Sequence, residues 1–195
     1  MAKTDALRGK RTGRLLRYDP VVDEVTVLAR GLSFPNGISV DKDETFLLFA
    51  ETFTLSLLKY TLEGGKLEVV VKGGLTGYPD GADCAWAGIT SKVSNLCYAA
   101  LPSAFLPILK LVLKMPHPLD QFFRSLLMAL PKKLAPPVKQ YGGIVEVDPL
   151  KGGVVRLLQD PTGKDAGMFT GVTVHDDKLF LGSLKNDYIG VYELG

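Results

Sequence analysis

Three short stretches of this chain repeat one pattern: Phe34-Pro35-Asn36-Gly37, Tyr78-Pro79-Asp80-Gly81 and Met168-Phe169-Thr170-Gly171. Each of them runs directly into an alternating, strand-like stretch. The first two copies lie 44 residues apart, and the third follows 90 residues later, of which an unrelated insertion takes about 40. The remaining period of roughly 40 to 50 residues is typical of the four-stranded blades of a β-propeller.

Strand-like runs bounded by turn residues recur along the rest of the chain, at 13–18, 24–29, 37–40, 46–51, 55–60, 67–71, 81–86, 95–100, 143–147, 154–158, 171–174, 179–183 and 188–193. They amount to about three and a half blades, whereas propellers of this kind close with four or more and typically with about six. We therefore predict an all-β fold in which residues 1–195 form the C-terminal part of a six-bladed β-propeller. The chain is then a truncated product or a fragment, or, as a weaker alternative, one arc of a two-chain assembly.

The segment 101–140 has a different periodicity from the rest of the chain. Its apolar residues recur every three or four positions in two runs that Pro116 and Pro118 separate, which is helical spacing. We predict an amphipathic helical insertion within one blade, a hairpin whose apolar stripe packs onto the propeller rim. Two alternatives stay open: a lid over the axial site, with His117 facing it, or contact with a membrane surface. The second would suit the flanking cations Lys110, Lys114, Arg124, Lys132 and Lys133.

Composition narrows the class of protein. The 195 residues are 46% hydrophobic with a net charge of +2, which allows a large core and leaves no basic stripe, so we predict no nucleic-acid partner. Residues 1–14 lack the apolar core of a signal peptide. Cys84 and Cys97 fall on neighbouring strands of one predicted hairpin. A cross-strand disulfide fits that placement, but we favour two small buried thiols.

The repeated loops carry the residues with the clearest chemistry. Asn36 and Asp80 occupy equivalent positions in the first two copies, and Thr170 takes that position in the third. Equivalent loops of successive blades meet around the axis of a propeller, and calcium binds carboxylate and amide oxygens. Pro-Asn-Gly and Pro-Asp-Gly are also good tight-turn sequences. Their repetition favours a metal site formed by Asn36 and Asp80, with Asp80 able to act as general base or nucleophile.

Aromatic residues accompany these loops and indicate a pocket for a small-molecule substrate. Phe34, Tyr78 and Phe169 would form its apolar wall, although aromatics at strand starts are more often plain core. His175 lies in a predicted turn and is expected to be solvated. The histidines belong to neither a Ser-His-Asp arrangement nor a zinc motif.

Five motifs together resemble the strictosidine synthase-like proteins, the group that includes the adipocyte plasma membrane-associated protein. They are GRLLRYDP (13–20), GLSFPNG (31–37), FLLFAET (46–52), GYPDG (77–81) and HDDKLFLGS (175–183). The resemblance spans nearly the whole chain from Gly13 onward. It implies kinship with the calcium-dependent lactonase, paraoxonase and gluconolactonase propellers, and a six-bladed fold of which this chain holds about the last three blades.

The resemblance also implies a function. Asn36 and Asp80 match calcium ligands, which indicates a calcium-dependent hydrolase of esters or lactones whose remaining ligands come from the first blades. True strictosidine synthases place a catalytic glutamate where this chain has Thr170, and a histidine where it has Met168. A hydroxyl cannot replace a carboxylate base at neutral pH, so Pictet–Spengler condensation is the disfavoured alternative. A non-catalytic, membrane-associated scaffold is the other.

Two further expectations follow from the resemblance. Relatives usually enter the secretory pathway, which predicts the endoplasmic reticulum, the vacuole or a membrane as the location. Closing the propeller requires either N-terminal blades or a second copy of the chain.

Overall fold

The computed structural model of this chain describes residues 11–91, 95–105, 111, 115–116, 119–129 and 140–194. Within these ranges the chain forms thirteen β-strands: β1 Gly13–Asp19, β2 Glu24–Leu32, β3 Pro35–Val40, β4 Phe46–Glu51, β5 Ser56–Thr61, β6 Leu67–Val71, β7 Ala82–Cys84, β8 Cys97–Ser103, β9 Gln140–Val147, β10 Val154–Asp160, β11 Phe169–His175, β12 Lys178–Ser183 and β13 Gly190–Glu193. A 3-10 helix at Thr52–Thr54 and the α-helix α1, Leu119–Ala129, complete the described elements. Each strand-like run of the sequence thus corresponds to an observed strand.

The strands form four antiparallel sheets in chain order. Sheet 1 contains β1 and β2, sheet 2 runs β3-β4-β5-β6, sheet 3 runs β7-β8-β9-β10, and sheet 4 runs β11-β12-β13. The first strands of sheets 2, 3 and 4 lie side by side, because the Gly37 amide donates to the Asp80 carbonyl (3.0 Å) and the Gly81 amide donates to the Thr170 carbonyl (2.9 Å). Successive meanders joined through their innermost strands are the blades of a β-propeller.

A carboxylate ties the same three strands together further along. Asp83 Oδ1 accepts from Ser39 Oγ (3.1 Å), and Asp83 Oδ2 accepts from the Val174 amide (2.9 Å). One side chain on β7 therefore bridges β3 and β11, and it holds the inner strands of three consecutive sheets in fixed register.

Hydrophobic layers fill the three spaces between the four sheets. β4 is buried along its whole length, and its side chains alternate between two layers. Leu47 and Phe49 face sheet 1, while Leu48 and Ala50 face sheet 3. A third layer, which includes Tyr98 and Val174, fills the space between sheets 3 and 4. This burial on both faces explains why the sequence of β4 is a continuous apolar run instead of an alternating one.

The interruption of sheet 3 is narrower than the predicted insertion of 101–140. Leu101 pairs with Gly143 and Ser103 pairs with Gln140, so the first and last residues assigned to the insertion belong to β8 and β9. Ala104 still forms a bridge to Gly77. Helix α1 lies inside the interruption, and His117 falls outside the described residues. Among the helices that the structure describes, none has the length and apolar character needed to cross a bilayer.

The preference for free thiols is wrong, because Cys84 and Cys97 form a disulfide. The two residues are direct partners in the β7–β8 pairing, and both are almost fully buried. Their neighbouring-strand placement was predicted correctly, but the closeness of a directly opposed pair favours the bond over two thiols.

Candidate functional site

The three repeated loops meet at one end of the inner strands. Asn36 lies near the start of β3, Asp80 precedes β7 by two residues, and Thr170 is the second residue of β11. The two backbone hydrogen bonds from Gly37 and Gly81 link each loop to the next. The chain therefore brings these equivalent positions together, as the repeat predicts.

The glycines that follow Asn36 and Asp80 have a role other than turning. Gly37 and Gly81 are absent from the residues with positive φ, and Asn36 and Gly37 lie within β3, so the tight-turn alternative does not describe the backbone there. A Cβ on Gly37 would lie 2.3 Å from the Ala82 nitrogen and 2.4 Å from the Gly81 Cα. These glycines are required because the inner strands approach one another too closely for a side chain.

Asp80 and Asn36 form a polar pair at the meeting of the loops. The Asp80 carboxyl is half-buried, and burial raises its pKa above the ordinary value, while a hydrogen bond with the Asn36 amide partly offsets that rise. The Asp80 amide donates to the Ala100 carbonyl (2.9 Å), so β8 fixes the backbone that carries the carboxyl group. The site thus contains a carboxyl group whose proton affinity is increased and whose amide neighbour is exposed.

Thr52 joins the loops of sheets 2 and 3, and the sequence reasoning missed it. Its Oγ1 donates to the Pro79 carbonyl (2.7 Å) and accepts from Asn36 Nδ2 (3.5 Å). The residue directly follows β4 and is buried. The signal was available in the sequence, because the motif at 46–52 ends with two polar residues after five apolar ones.

Glu51, the other polar residue of that motif, supports the loop before Asn36. Its carboxylate accepts from the Ser33 amide (2.6 Å) and forms an ion pair with Arg11 (2.9 Å), and it is only 3% exposed. Thr54 Oγ1 also donates to it. The carboxylate thereby fixes the backbone at Ser33, so Glu51 acts as a structural support for the site.

Backbone strain marks the same loops. Phe34 and Met168 hold equivalent positions in the repeat, and both adopt left-handed conformations, with φ of 59° and 61°. The Phe34 carbonyl accepts from the Thr52 amide (3.1 Å), and the Met168 carbonyl accepts from Ser183 Oγ (2.7 Å). Non-glycine residues in this region are uncommon, and they concentrate at functional sites that the surrounding structure holds in place.

The predicted aromatic residues differ in position. Phe34 is 36% exposed and stacks on Phe53, with ring centroids 4.7 Å apart. Tyr78 packs edge-on against Phe105 at 5.4 Å, and burial raises the pKa of its hydroxyl to about 12. Phe169 is only 3% exposed and belongs to the layer between sheets 3 and 4. Phe34 is thus the predicted wall residue with the most accessible ring, and Phe53 is an addition that the sequence did not suggest.

A cavity of about 290 Å³ lies between sheets 3 and 4, away from Asn36 and Asp80. Its lining is mainly apolar and includes Ile144, Leu158, Phe169, Leu181 and Tyr192. Phe169 therefore contacts this inter-sheet space with its ring. His175, at the other end of β11, is 66% exposed and lies 3.5 Å from Asp176, which confirms that it is solvated.

The oxygen atoms of Asp80 and Asn36 are of the type that binds a hard cation such as calcium. Asp80 offers a carboxylate and Asn36 offers an amide oxygen, since the nitrogen of that amide is engaged with Thr52. Calcium takes about six to eight oxygens, so these two side chains would supply a minority of its ligands. Within the described residues no group of three or more His, Cys, Asp or Glu side chains is arranged to hold a metal.

Comparisons with known proteins identify the family. A sequence model described as strictosidine synthase matches residues 2–65. Over 174 residues the chain is 34% identical to the Arabidopsis thaliana protein named strictosidine synthase-like 13. The aligned region covers 87% of this chain and 40% of that protein. This chain belongs to the strictosidine synthase-like family. The human adipocyte plasma membrane-associated protein is a more distant relative, 28% identical over 94% of this chain and 43% of its own length.

Solved structures agree on the fold of this strictosidine synthase-like chain. A luciferin-regenerating enzyme superposes with a TM-score of 0.55 at 13% identity, over 92% of this chain and 47% of its own. A gluconolactonase from Xanthomonas campestris superposes with a TM-score of 0.55 at 14% identity, over 93% of this chain and 44% of its own. Regucalcin from Agrobacterium tumefaciens is described as a calcium-binding protein. It superposes with a TM-score of 0.51 at 15% identity, over 91% of this chain and 48% of its own. At such identities the likeness shows the fold alone. The chain spans less than half the length of the curated relatives named above.

Proposed function

We propose that this chain is part of a calcium-dependent hydrolase that acts on esters or lactones at the axis of a six-bladed propeller. The observation that carries the proposal is the Asn36–Asp80 pair, which lies where the repeated loops meet. The structural neighbours include a gluconolactonase and the calcium-binding regucalcin, and both support a calcium-dependent lactonase. The other blades, and with them the remaining calcium ligands, would come from additional chain or from a second copy.

Each residue of the site has a task in this proposal. Asn36 and Asp80 would hold the ion, which when bound would polarise the carbonyl oxygen of the substrate. Asp80 would also act as general base or nucleophile in the hydrolysis. Phe34 would contact the apolar part of a small substrate, with Phe53 supporting its ring. Tyr78 and Thr170 complete the proposed substrate-binding set, whereas the predicted role of Phe169 is replaced by packing in the layer between sheets 3 and 4.

Thr170 separates this proposal from the synthase alternative. Its hydroxyl occupies the position in the third loop at which the resemblance places a catalytic glutamate. Without a carboxylate there, deprotonation of an amine substrate has no base at that position. An assay of the chain with tryptamine and secologanin is expected to yield no condensation product, and formation of product would reverse the assignment.

The disulfide bears on location. Buried disulfides such as Cys84–Cys97 are characteristic of oxidising compartments, and the name of the human relative refers to the plasma membrane. We therefore retain the secretory pathway, including vacuole and membrane, as the proposed location of the protein.

Calcium binding can be tested on the chain itself. A ligand that binds only the folded state raises its stability, so we expect millimolar calcium to raise the Tm of the parent and to leave Asp80→Asn unchanged. Asp43→Asn is the matched control, because Asp43 is an exposed carboxylate that pairs only with its neighbour Lys42 among the described residues. Equal calcium shifts in the parent and in Asp80→Asn would contradict the site.

Hydrolysis is tested on the complete protein. With an aryl ester and a δ-lactone as substrates, we expect activity that chelation removes, that Asp80→Asn abolishes and that Asp43→Asn retains. Activity that survives both chelation and Asp80→Asn would contradict the mechanism, while leaving any calcium binding to be judged by the Tm measurement.

A further inference from the structure

Helix α1 turns apolar side chains toward solvent. Leu119, Phe122 and Leu126 are 52%, 63% and 50% exposed, and their spacing of three and four residues places them on one face of the helix. The rings of Phe122 and Phe123 pack against each other, with centroids 5.5 Å apart. We call Leu119, Phe122, Phe123 and Leu126 the α1 face. Its exposure argues against the predicted packing of this stripe onto the propeller rim.

The segment that contains α1 also concentrates positive charge. Residues 104–139 contain six basic side chains and a single acidic one, Asp120: Lys110, Lys114, Arg124, Lys132, Lys133 and Lys139. That segment therefore carries +5 of a chain whose net charge is +2, which leaves −3 for all other residues together. A basic segment on an otherwise acidic protein is complementary to an anionic surface.

We propose that the α1 face binds the interface of an anionic lipid bilayer. Helices that combine an exposed apolar face with basic residues lie in the plane of a membrane, with the apolar side chains among the headgroups and acyl chains. Each basic residue near an anionic leaflet adds further attraction. Among the possible partners, a lipid surface is the one that both the apolar face and the segment charge favour. This proposal uses none of the residues assigned to calcium or to hydrolysis.

The strands that flank the interruption determine where such a contact would be. The segment leaves the sheet after Ser103, whose carbonyl accepts from the Tyr78 amide (3.1 Å), and it returns at Gln140, the pairing partner of Ser103. Both points lie at the strand ends beside the Asp80 loop.

Vesicle binding tests the proposal on the whole chain. We expect the parent to co-sediment with phosphatidylcholine vesicles that contain about a third phosphatidylserine, and to bind pure phosphatidylcholine much more weakly. The double variants Phe122→Ser/Leu126→Ser and Lys132→Glu/Lys133→Glu should each weaken binding about tenfold or more. Raised salt should weaken binding of the parent as well.

Matched controls distinguish binding through the α1 face from nonspecific adsorption to vesicles. Leu184→Ser removes a 93% exposed leucine from another part of the chain, and Lys72→Glu/Lys185→Glu reverses two exposed lysines outside 104–139. Both controls should bind like the parent, and all variants should share its Tm. Equal binding by the parent and the α1 variants would overturn the proposal. The proposal would also be overturned if the α1 variants lost self-association of the chain and not lipid binding, because a second copy of the chain would then cover the α1 face.

Discussion

Asp80 is the residue at which stability and proposed function compete. Burial raises the pKa of its carboxyl, so the folded state holds the Asp80 proton more tightly than the unfolded state does. Its contribution to stability is complete below the ordinary pKa of 3.8, and it is lost as the pH rises through the elevated value. At neutral pH without calcium, the ionised carboxylate therefore destabilises the fold.

Replacing this carboxyl with an amide should stabilise the calcium-free protein. We expect Asp80→Asn to exceed the parent in free energy of unfolding at pH 7 in the presence of chelator, and the difference to shrink as the pH falls toward 3.8. Urea unfolding at several pH values measures it, with Asp43→Asn as control. A variant that is less stable than the parent at pH 7 would show that the charged form is the favoured one.

Thr52 offers a second test at this scale. Thr52→Val keeps the side-chain shape but leaves the Pro79 carbonyl and the Asn36 amide without their hydroxyl partner. The expected loss in free energy of unfolding is about 1 kcal/mol, with a smaller calcium-induced rise in Tm. Thr173→Val, at an exposed strand position, is the control. An unchanged calcium response would limit Thr52 to a structural role.

The residues of the site were only partly accessible from sequence. Repetition identified Asn36, Asp80 and Thr170, because equivalent positions of a repeat converge in space. It could not identify Thr52 or Phe53, since these follow the second strand of a sheet and contact the loops through tertiary interactions, although the polar residues that end the motif at 46–52 did mark the position of Thr52. Phe169 was predicted to line the pocket but packs between sheets 3 and 4. The sequence of a strand start does not indicate on which side an aromatic ring will pack.

At the scale of the strands, two equivalent glycines, Gly37 and Gly171, should differ in their importance for stability. Gly37→Ala would place a Cβ within 2.5 Å of backbone atoms of the next strand, which cannot move without disturbing sheet 3. We expect a loss of about 2–3 kcal/mol in free energy of unfolding. Gly171 is the equivalent glycine of sheet 4, and a Cβ there meets no atom within 4 Å, so Gly171→Ala should change stability by less than about 0.5 kcal/mol.

Thermal or urea unfolding of the two alanine variants checks this difference. Similar losses in both would show that the glycines matter for backbone freedom in general, and not for the close approach of β3 to β7.

Most of the predicted runs differ from the observed strands by one to three residues at an end, and at β7 the structure shows a cause. β7 ends at Cys84 although the predicted run extends to Trp86. There the Trp86 amide donates to Thr90 Oγ1 (2.9 Å), and the Trp86 carbonyl accepts from the amides of Ile89, Thr90 and Ser91, which turns the chain before the strand can continue. The hairpin was predicted, but alternation alone does not show that its turn begins as early as Trp86.

At the scale of the whole molecule, the order of the sheets was predictable and a covalent link was not. The repeat period and the interrupted third sheet both follow from turn residues and alternation. The state of Cys84 and Cys97 depends on how closely two opposed residues approach, and on the redox conditions in which the chain folds. Neither of these can be read from the spacing of two cysteines.

The disulfide should contribute measurably to stability. It closes a loop with a sequence separation of 13 residues, for which the chain-entropy model gives about 3 kcal/mol. We expect Cys84→Ala/Cys97→Ala to lose roughly that much in urea unfolding. The parent should lose a similar amount in a strong reductant, which should leave the variant unchanged. A parent insensitive to reductant, with a free-thiol titre of two, would contradict the bond.

The hydrogen bonds from Gly37 to Asp80 and from Gly81 to Thr170 join main-chain atoms of three consecutive blades. These strands leave no room even for a methyl group between β3 and β7, so the backbone itself fixes the spacing of these two inner strands. In the proposed hydrolase, size selectivity would therefore depend on side chains such as the exposed ring of Phe34, and not on movement of the loop that carries Asn36. Exchanging Phe34 should alter selectivity while the spacing of the strands is kept.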